Sequence, residues 1–280
     1  MKISRLIKAI AIGLIAMTAP AVAGNLNLPY GVAVDASGDL YVVSFFAGTV
    51  VRYDKKFASP PTLIKDGLNH PHSIAIDTTG LIYVGNFQGN RITAYAPSGA
   101  RIPPAEIQSA VSPSFLAAGP DHVLYASDGV VVAAYDTVNA NALLRQYVLP
   151  ANLPGSPVGS DNGLFFFGNF GQMGFMSEPG LWANNPGPTH FYTLGNVAPL
   201  GLTFDNFHNG FVITGSRSVV TLNGDVLIQN LPSQPGGIAL DKTRNLLFIS
   251  LPNGNVVQVY TLTYDSFHNP VSASFLKSIT

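Results

Sequence analysis

Three polar residues of this sequence carry side chains suited to acid–base chemistry. They are His72 directly after a proline, Asp128 in a Ser-Asp-Gly segment, and Arg217 in a Gly-Ser-Arg-Ser segment. A histidine that pairs with a carboxylate in a partly dry cleft can act as a general base. His72, Asp128 and Arg217 are therefore the candidate catalytic residues of an enzymatic interpretation.

Other catalytic signatures do not occur in the sequence. It contains no Gly-x-Ser-x-Gly segment and no glycine-rich phosphate loop ahead of a helix. A catalytic zinc ion needs about three converging His, Asp or Glu ligands, and His70 and His72 are the only closely spaced histidines. We expect no cofactor and no dedicated metal site. A divalent ion held by His70, His72 and Asp128 stays open as part of the enzymatic interpretation.

A second group of residues is suited to binding without chemistry. Two Asn-Phe pairs each follow a glycine, Ser44-Phe45 repeats that pattern in part, and two ring-bearing residues each follow a proline. Amides and aromatic rings can hydrogen-bond and stack on a neutral ligand. The candidate ligand-binding residues are Tyr30, Phe45, His72, Asn86, Phe87, Asn169 and Phe170. The alternative is that Asn and Gly satisfy tight turns while Phe packs between structural repeats.

A repeat of about 42 residues positions all of these side chains. The segment Pro29-Tyr30-Gly31-Val32-Ala33-Val34-Asp35 returns 42 positions later as Pro71-His72-Ser73-Ile74-Ala75-Ile76-Asp77, and Pro113 opens a third copy. Further copies begin at Pro199 and Pro235, with a degenerate one between Pro154 and Asp161. A period of roughly 40 to 50 residues is typical of a β-propeller or another repeat array.

Each repeat reads as four short strands. In the second copy, the apolar segments 73–76 and 81–84 flank an Asp-Thr-Thr-Gly turn, and residues 91–95 alternate in polarity. A fourth strand is expected near residues 106–109. We therefore predict an all-β, six-bladed propeller with four antiparallel strands per blade. Two closures of the ring stay open: residues 272–276 supply the outer strand of the last blade, or residues 25–28 add to it.

The repeat resembles the NHL repeat. The shared pattern is Pro-x-Gly-(aliphatic)-Ala-(aliphatic)-Asp-x-x-Gly-x-(aliphatic)-Tyr-Val followed by a Gly-Asn-Arg-Ile-like strand, and residues 71–95 and 29–53 match it best. The resemblance implies a propeller whose first strands begin at the ligand rim, where the loops after the second strands also lie. It implies no single activity, because NHL-type rings include enzymes, sensor domains and protein-binding rings.

Two enzyme types related to this family differ from the sequence at their functional positions. Gluconolactonase-type propellers hold a divalent ion with Glu, Asn and Asp at first-strand starts, where this chain has Tyr30, His72, Ser114, Leu200 and Gly236. Lyases of this fold place His after the proline in neighbouring blades, together with a Glu near the end of the second strand. This chain has one such His and no such Glu.

The first 23 residues are predicted to be a secretory signal peptide. A basic segment that ends at Lys8 precedes an apolar stretch, and Ala21-Val22-Ala23 forms a small-x-small cleavage site. Residues 24–280 are then a single propeller domain in the periplasm or the extracellular medium. Without the leader, 11 basic residues face 15 acidic ones, since three of the 14 Lys and Arg residues precede residue 24. This balance argues against a nucleic-acid partner, and no later segment is apolar enough to span a membrane.

We predict an exported, non-catalytic binding propeller that receives a protein or a small neutral ligand at the rim of its channel. The alternative is a propeller enzyme of the lactonase or lyase type that uses His72 as its base, with a metal ion assisting.

Overall fold

The structure is a computed structural model that describes residues 26–119, 122–139, 141–148, 158–161, 164–169, 172–177, 190–194 and 198–280. These residues contain 24 strands in six four-stranded antiparallel sheets, and each sheet uses four consecutive strands. Five sheets are described with all of their side chains except that of Tyr147. In the remaining sheet, the fourth along the chain, residues 164–169, 172–177 and 190–193 are described as backbone.

The strands of the first three sheets follow each other along the chain. They are β1 Pro29–Val34, β2 Leu40–Ser44, β3 Thr49–Tyr53 and β4 Thr62–Ile64; β5 Pro71–Ile76, β6 Ile82–Asn86, β7 Arg91–Tyr95 and β8 Ile107–Gln108; β9 Phe115–Ala118, β10 Val123–Ser127, β11 Val131–Asp136 and β12 Ala142–Val148. A single-turn 3-10 helix, Pro103–Ala105, precedes β8.

The other three sheets repeat this order. Their strands are β13 Val158–Asp161, β14 Leu164–Asn169, β15 Gln172–Ser177 and β16 His190–Thr193; β17 Pro199–Phe204, β18 Gly210–Thr214, β19 Ser218–Thr221 and β20 Val226–Ile228; β21 Gly237–Asp241, β22 Leu246–Leu251, β23 Val256–Tyr264 and β24 Pro270–Ile279. A second 3-10 turn, Pro252–Gly254, joins β22 to β23.

The sheets are the blades of a propeller. The first strands β1, β5, β9, β13, β17 and β21 contact one another in this order around a central channel, and β21 contacts β1 to close the ring. The predicted all-β propeller with four antiparallel strands per blade is confirmed. We call the end of the channel where the first strands begin the upper rim, and the opposite end the lower rim.

In the five blades described with side chains, the second strand is buried because neighbouring blades pack on both of its faces. Strands β2, β6 and β18 are buried at every position, and most of their residues are aliphatic or aromatic. Between the first two blades, Tyr41 and Val43 pack with Ile74 and Val84. Each buried side chain of this size contributes about 1.5–3 kcal/mol, so the blade-to-blade surfaces hold the ring together without disulfides, since the sequence has no cysteine.

One close approach between blades requires glycine. A Cβ at Gly85 would lie 2.3 Å from the Pro113 carbonyl oxygen of the next blade. Ser73 donates a hydrogen bond to that same oxygen, at 2.6 Å. The backbones of the second and third blades are therefore in direct contact at their upper ends. Only glycine at position 85 permits this contact, because any side chain there would clash with the Pro113 carbonyl oxygen.

The repeated aspartates cap turns at the lower rim. Asp35 accepts hydrogen bonds from the backbone N–H groups of Ser37 and Asp39, both at 2.9 Å. Asp77, Asp205 and Asp241 accept equivalent pairs of backbone hydrogen bonds. These carboxylates satisfy backbone donors of their own turns, which accounts for their recurrence in the sequence.

The ring closes through side chains between the last and first blades. Strand β24 supplies the outer strand of the last blade by pairing with β23, so the first of the two predicted closures is correct. Leu26 packs against Val257 and Ile279, and the Tyr53 hydroxyl donates a hydrogen bond to the Thr280 carbonyl oxygen at 3.2 Å. The N-terminal segment thus wedges between two blades and joins neither sheet.

Part of the sequence-based interpretation concerns residues that the structure does not describe. The predicted signal peptide, residues 1–23, lies outside the described residues. Its cleavage and the single-domain boundary at residue 24 stay predictions. In the part of the chain that is described, no helix is both long and apolar enough to cross a membrane.

Candidate functional site

Backbone bulges turn two ring-bearing side chains toward the upper mouth of the channel. Along β5, Pro71 pairs with Asn86 and Ser73 pairs with Gly85, so His72 is an extra residue between them. The pairing of β1 with β2 shifts in the same way between Pro29 and Val32, and Tyr30 lies in this shift. A bulge re-aims the side chain of its extra residue, which explains why the residue after the repeated proline reaches the rim.

Five rings meet at this point: that of His72 and four rings around it. Its imidazole stacks on Tyr30, with ring centroids 4.4 Å apart and planes at 27°. Phe45, Phe87 and Phe115 lie with their ring centroids 6.1, 6.0 and 6.4 Å from the imidazole. We call Tyr30, Phe45, His72, Phe87 and Phe115 the aromatic rim cluster. Edge-on and offset contacts of this kind are favourable by about 0.5–1.5 kcal/mol each beyond burial, so the rings form a preorganised wall.

The surroundings of His72 favour its neutral form. Nδ1 lies 2.9 Å from the Ser114 carbonyl oxygen. A carbonyl only accepts, so Nδ1 donates this bond and Nε2 of the neutral ring is an acceptor. Burial lowers the pKa of His72 below 6.5, and the bond to Ser114 opposes part of that effect. At neutral pH the imidazole is therefore an uncharged aromatic surface with one free acceptor nitrogen.

A cavity of about 230 Å³ opens beside this wall at the channel mouth. Its lining consists of Tyr30, His72, Phe115, Leu200, Gln234, Pro235, Gly236, Pro252 and Asn253. The side chains of Gln234 and Asn253 are exposed. Among the described residues, the lining combines aromatic rings with two amides and contains no carboxylate, lysine or arginine, so it is suited to an uncharged ligand.

Asn86 does not face this cavity. It is 1% exposed. Its Oδ1 accepts a hydrogen bond from the Asn69 backbone N–H at 2.7 Å, and its Nδ2 donates to Thr93 Oγ1 at 2.7 Å and to the Arg91 carbonyl oxygen at 3.1 Å. Buried polar residues recur at or near the ends of other second strands, at Ser44, Ser127, Thr214 and Ser250. Asn86 therefore belongs to an internal hydrogen-bond system, and we exclude it from the candidate site.

The two proposed partners of His72 lie apart from it. Asp128 is exposed, and its Oδ1 accepts hydrogen bonds from the backbone N–H groups of Val130 and Val131, each at 2.8 Å. Arg217 is an exposed residue with φ of 60°, and its backbone N–H bonds to Thr214. Among the described residues, no hydrogen bond or ion pair joins either side chain to His72. The structure thus does not assemble the predicted catalytic trio.

Three predicted residues remain. One lies beside the site, and the side chains of the other two are not among those that the structure describes. His70 lies next to the aromatic rim cluster, with its ring centroid 5.3 Å from that of Phe45 and its Nδ1 3.0 Å from Asn69 Oδ1. Asn169 ends β14 and is described as backbone, while Phe170 is outside the described residues. Across the ranges that the structure describes, no three His, Asp or Glu side chains are grouped to hold a metal ion.

Three lining residues were not anticipated from the sequence: Phe115, Gln234 and Asn253. The pairing of β9 with β10 has no bulge and aligns Phe115 with Ser127. Phe115 therefore takes the register position that Pro29 and Pro71 take opposite Ser44 and Asn86 in the first two blades. Alignment of Ser127 with Asn86 would have indicated this shift. Gln234 and Asn253 lie in connections outside the repeated strands, where the repeat gives no signal.

The chain resembles known proteins in structure and not in sequence. No family model matches the sequence, and no curated protein matches it. Solved structures do match the fold. A streptogramin B lyase structure superposes with a TM-score of 0.62 at 14% identity, covering 93% of this chain and 85% of that one.

Two further structures of different function show the same similarity. Hydrazine synthase from Kuenenia stuttgartiensis gives a TM-score of 0.60 at 14% identity, covering 85% of this chain and 77% of that one. A chain of a mitotic checkpoint complex gives 0.59 at 14% identity, covering 100% and 88%. At this identity the matches show the fold alone: the chain is a β-propeller.

Proposed function

We propose that this protein is a non-catalytic binding propeller that receives an uncharged, ring-bearing ligand at its upper rim. The ligand is a small molecule or the side chain of a partner protein. We also propose that the ring is of the six-bladed NHL type, on the basis of the 42-residue repeat and the six sheets. We further propose that the protein is exported after removal of residues 1–23, and that it acts in the periplasm or outside the cell.

The observation that supports this function is the aromatic rim cluster beside an uncharged cavity. A cavity of about 150 Å³ lined by apolar side chains can accept benzene, so about 230 Å³ admits one substituted ring. The rings of Tyr30 and Phe115 supply stacking surfaces, and the amides of Gln234 and Asn253 supply hydrogen bonds. A charged ligand would lose its hydration here without gaining an ionic partner.

The test is equilibrium binding of N-acetyltryptophanamide, a neutral aromatic amide, measured by titration calorimetry. We expect saturable binding to the wild-type protein. Tyr30→Ala and Phe115→Ala should each weaken it by about tenfold, because each removes a stacking surface. N-acetyltryptophan, which differs by one carboxylate, should bind more weakly than the amide.

The control is Phe275→Ala, which removes a more exposed ring on β24, the outer strand of the last blade. This variant should bind the amide like the wild type. Equal losses in Phe275→Ala and Tyr30→Ala, or no saturable binding of the amide at all, would refute the proposal.

One observation favours an enzymatic second candidate: neutral His72 presents an unprotonated Nε2 beside the cavity, as a general base requires. The described residues place no carboxylate next to it. If the protein is an enzyme of the lactonase or lyase type, His72→Gln abolishes its turnover. Retention of turnover in that variant would eliminate this candidate.

A further inference from the structure

Two turns at the lower rim share an unusual sequence. Asp205-Asn206-Phe207-His208-Asn209 joins β17 to β18, and Asp265-Ser266-Phe267-His268-Asn269 joins β23 to β24. In each turn the aspartate accepts backbone hydrogen bonds from the Phe and the Asn. The two turns therefore have the same hydrogen-bond pattern, although they occupy different places in their blades.

The turn itself does not require phenylalanine. In the equivalent turns of the first two blades, Ser37 and Thr79 take this position and donate side-chain hydrogen bonds to the aspartate at 2.7 and 2.6 Å. In the two Phe-containing turns, Asn209 and Asn269 supply that bond instead, at 2.8 and 3.1 Å. Phe207 and Phe267 are left 46% and 81% exposed. The Phe207 ring packs against Tyr264 and His268, whereas Phe267 makes no ring contact with the described residues. Neighbouring exposed rings form an apolar patch, and such patches can bind a ligand.

The length of the last hairpin brings the two turns together. Strands β23 and β24, with nine and ten residues, are the longest described strands. Their turn reaches the neighbouring blade, where the His268 ring stacks on Phe207 with centroids 4.0 Å apart and planes at 6°. Asn209 Nδ2 also donates a hydrogen bond to the His268 carbonyl oxygen at 2.8 Å. The pair of turns is thus one continuous surface.

A polar cavity of about 130 Å³ lies next to this surface. Its polar lining is His208, Asn209, Thr221, Asn223, Asp225 and Asn269. His208 Nδ1 lies 2.8 Å from Asp161 Oδ2, which leaves Nε2 available to a ligand. Asn223 makes no side-chain hydrogen bond to the described part of the chain. The cavity therefore offers donors and acceptors that the fold does not use.

We propose that this lower-rim surface binds the pyranose ring of a neutral carbohydrate. Phe267 would stack on the apolar face of the sugar, while His208, Asn223 and Asp225 would bind its hydroxyl groups. An exposed ring beside planar polar side chains suits a ligand with one apolar face and many hydroxyls. The described part of the lining contains no lysine or arginine to select a phosphate or sulfate, and the single carboxylate found there is too few for a metal ion.

The test uses four probes: the methyl glycosides of glucose, galactose, mannose and N-acetylglucosamine. Each is titrated separately into the wild-type chain and monitored by saturation-transfer NMR. We expect at least one to bind saturably with Kd of about 1–10 mM. Phe267→Ala and Asn223→Ala should each weaken that binding by about tenfold. Because both residues are exposed, the melting temperature should stay at the wild-type value.

Two control variants make the assignment specific. Phe275→Ala removes another exposed ring of the same hairpin and should leave glycoside binding unchanged. Tyr30→Ala, at the upper rim, should also leave it unchanged, so this test does not depend on the function proposed for that rim. The absence of saturable binding by all four glycosides would overturn the proposal. So would binding that both Phe267→Ala and Asn223→Ala retain within about twofold.

Discussion

His72 and Asn86 lie at the upper end of the same blade, and hydrogen bonding gives them different roles. Asn86 uses both ends of its amide inside the protein. His72 uses one ring nitrogen for the Ser114 carbonyl oxygen, and its other ring nitrogen makes no hydrogen bond to the described part of the chain. A polar residue near a channel is therefore a binding candidate only when its own backbone surroundings leave it unused hydrogen-bonding capacity.

We predict that Asn86→Ala destabilises the fold without a direct effect on the upper rim. The substitution leaves the Asn69 N–H without its acceptor, and an unsatisfied buried group costs about 1–3 kcal/mol. It also removes the hydrogen bonds to the Arg91 carbonyl oxygen and to Thr93, whose hydroxyl keeps its own bond to the Gly67 carbonyl oxygen, and each lost bond is worth about 0.5–1.5 kcal/mol. Denaturant unfolding should show a loss of about 2–4 kcal/mol. The control Asn223→Ala, at an exposed position, should change stability by less than about 0.5 kcal/mol. Wild-type stability of Asn86→Ala would contradict the structural role.

His72 should make stability depend on pH near neutrality. Its pKa is lowered in the folded chain by burial, so on acidification the unfolded chain takes up a proton first. In the unfolded chain the pKa of His72 is about 6.5. Above that pH, the stability that depends on a neutral His72 is fully present. It is lost as the pH falls from there toward the lower pKa of His72 in the folded chain. Between about pH 7.5 and pH 5.5, the wild type should lose more stability than His72→Gln.

Other titrating groups contribute to both proteins, so the informative quantity is the difference between them. His122→Gln, at an exposed turn residue, is the matched control and should keep the pH dependence of the wild type. Identical slopes for the wild type and His72→Gln would show that the imidazole is not desolvated in the folded chain.

The sequence predicted part of the candidate site. Tyr30, Phe45, His72 and Phe87 follow repeated prolines or second strands, and these positions converge at one rim in any propeller. The Gly-Asn-Phe pattern also selected Asn86, because a sequence does not reveal whether an amide turns toward the channel or into the blade. Asp128 and Arg217 follow second strands and were therefore expected at the same rim as His72, but the repeat does not constrain the distances between side chains of different blades.

At the scale of single elements, turns and bulges do most of the positioning. The bulge at His72 and the register shift at Tyr30 aim rings at the channel, while aspartate-capped turns fix the lower rim. The Asp-x-x-Gly signal of these turns is local, so the sequence predicts it reliably. A bulge depends on how two strands align. The third blade lacks the bulge of the first two, and the sequence of its repeat alone does not show that Phe115 lies at the rim.

The turn between β21 and β22 also connects the last blade to the first. Arg244 Nε donates a hydrogen bond to Asp241 Oδ2 at 2.6 Å, and its Nη2 donates to the Gly38 carbonyl oxygen at 2.8 Å. Its Nη1 bonds to the Lys55 carbonyl oxygen. One guanidinium group thus joins the carboxylate of its own turn to two backbone positions of the neighbouring blade.

We predict that Arg244→Ala weakens this closure. The variant leaves the buried Asp241 carboxylate without its cationic partner, so the free energy of unfolding should fall by about 1–3 kcal/mol. Arg217→Ala, which removes an exposed guanidinium, should cost less than about 0.5 kcal/mol. Urea unfolding of the two variants compares them directly, and equal stabilities would show that the Arg244 contacts do not stabilise the ring.

For the whole molecule, the spacing of the repeat was the most informative part of the sequence. It predicted four antiparallel strands in each blade, their order along the chain and the propeller arrangement of the blades, because each blade is a contiguous segment that covers the apolar faces of its neighbours. Function is less accessible at this scale, since the fold is shared by proteins with unrelated activities. The upper and lower rims carry the individual features of this chain: an uncharged aromatic mouth at one end and paired Phe-His turns at the other.

Leu26 and Ile279 pack in one core cluster, so the two ends of the described fold lie close together. Among the described strands, none crosses from one blade to another, so a cut between any two blades leaves every described sheet whole. A circularly permuted gene that links the two ends of the described fold and starts at another blade boundary should therefore encode the same ring. Such a permutant could move the chain termini away from the Arg244 contacts and leave both rims unchanged.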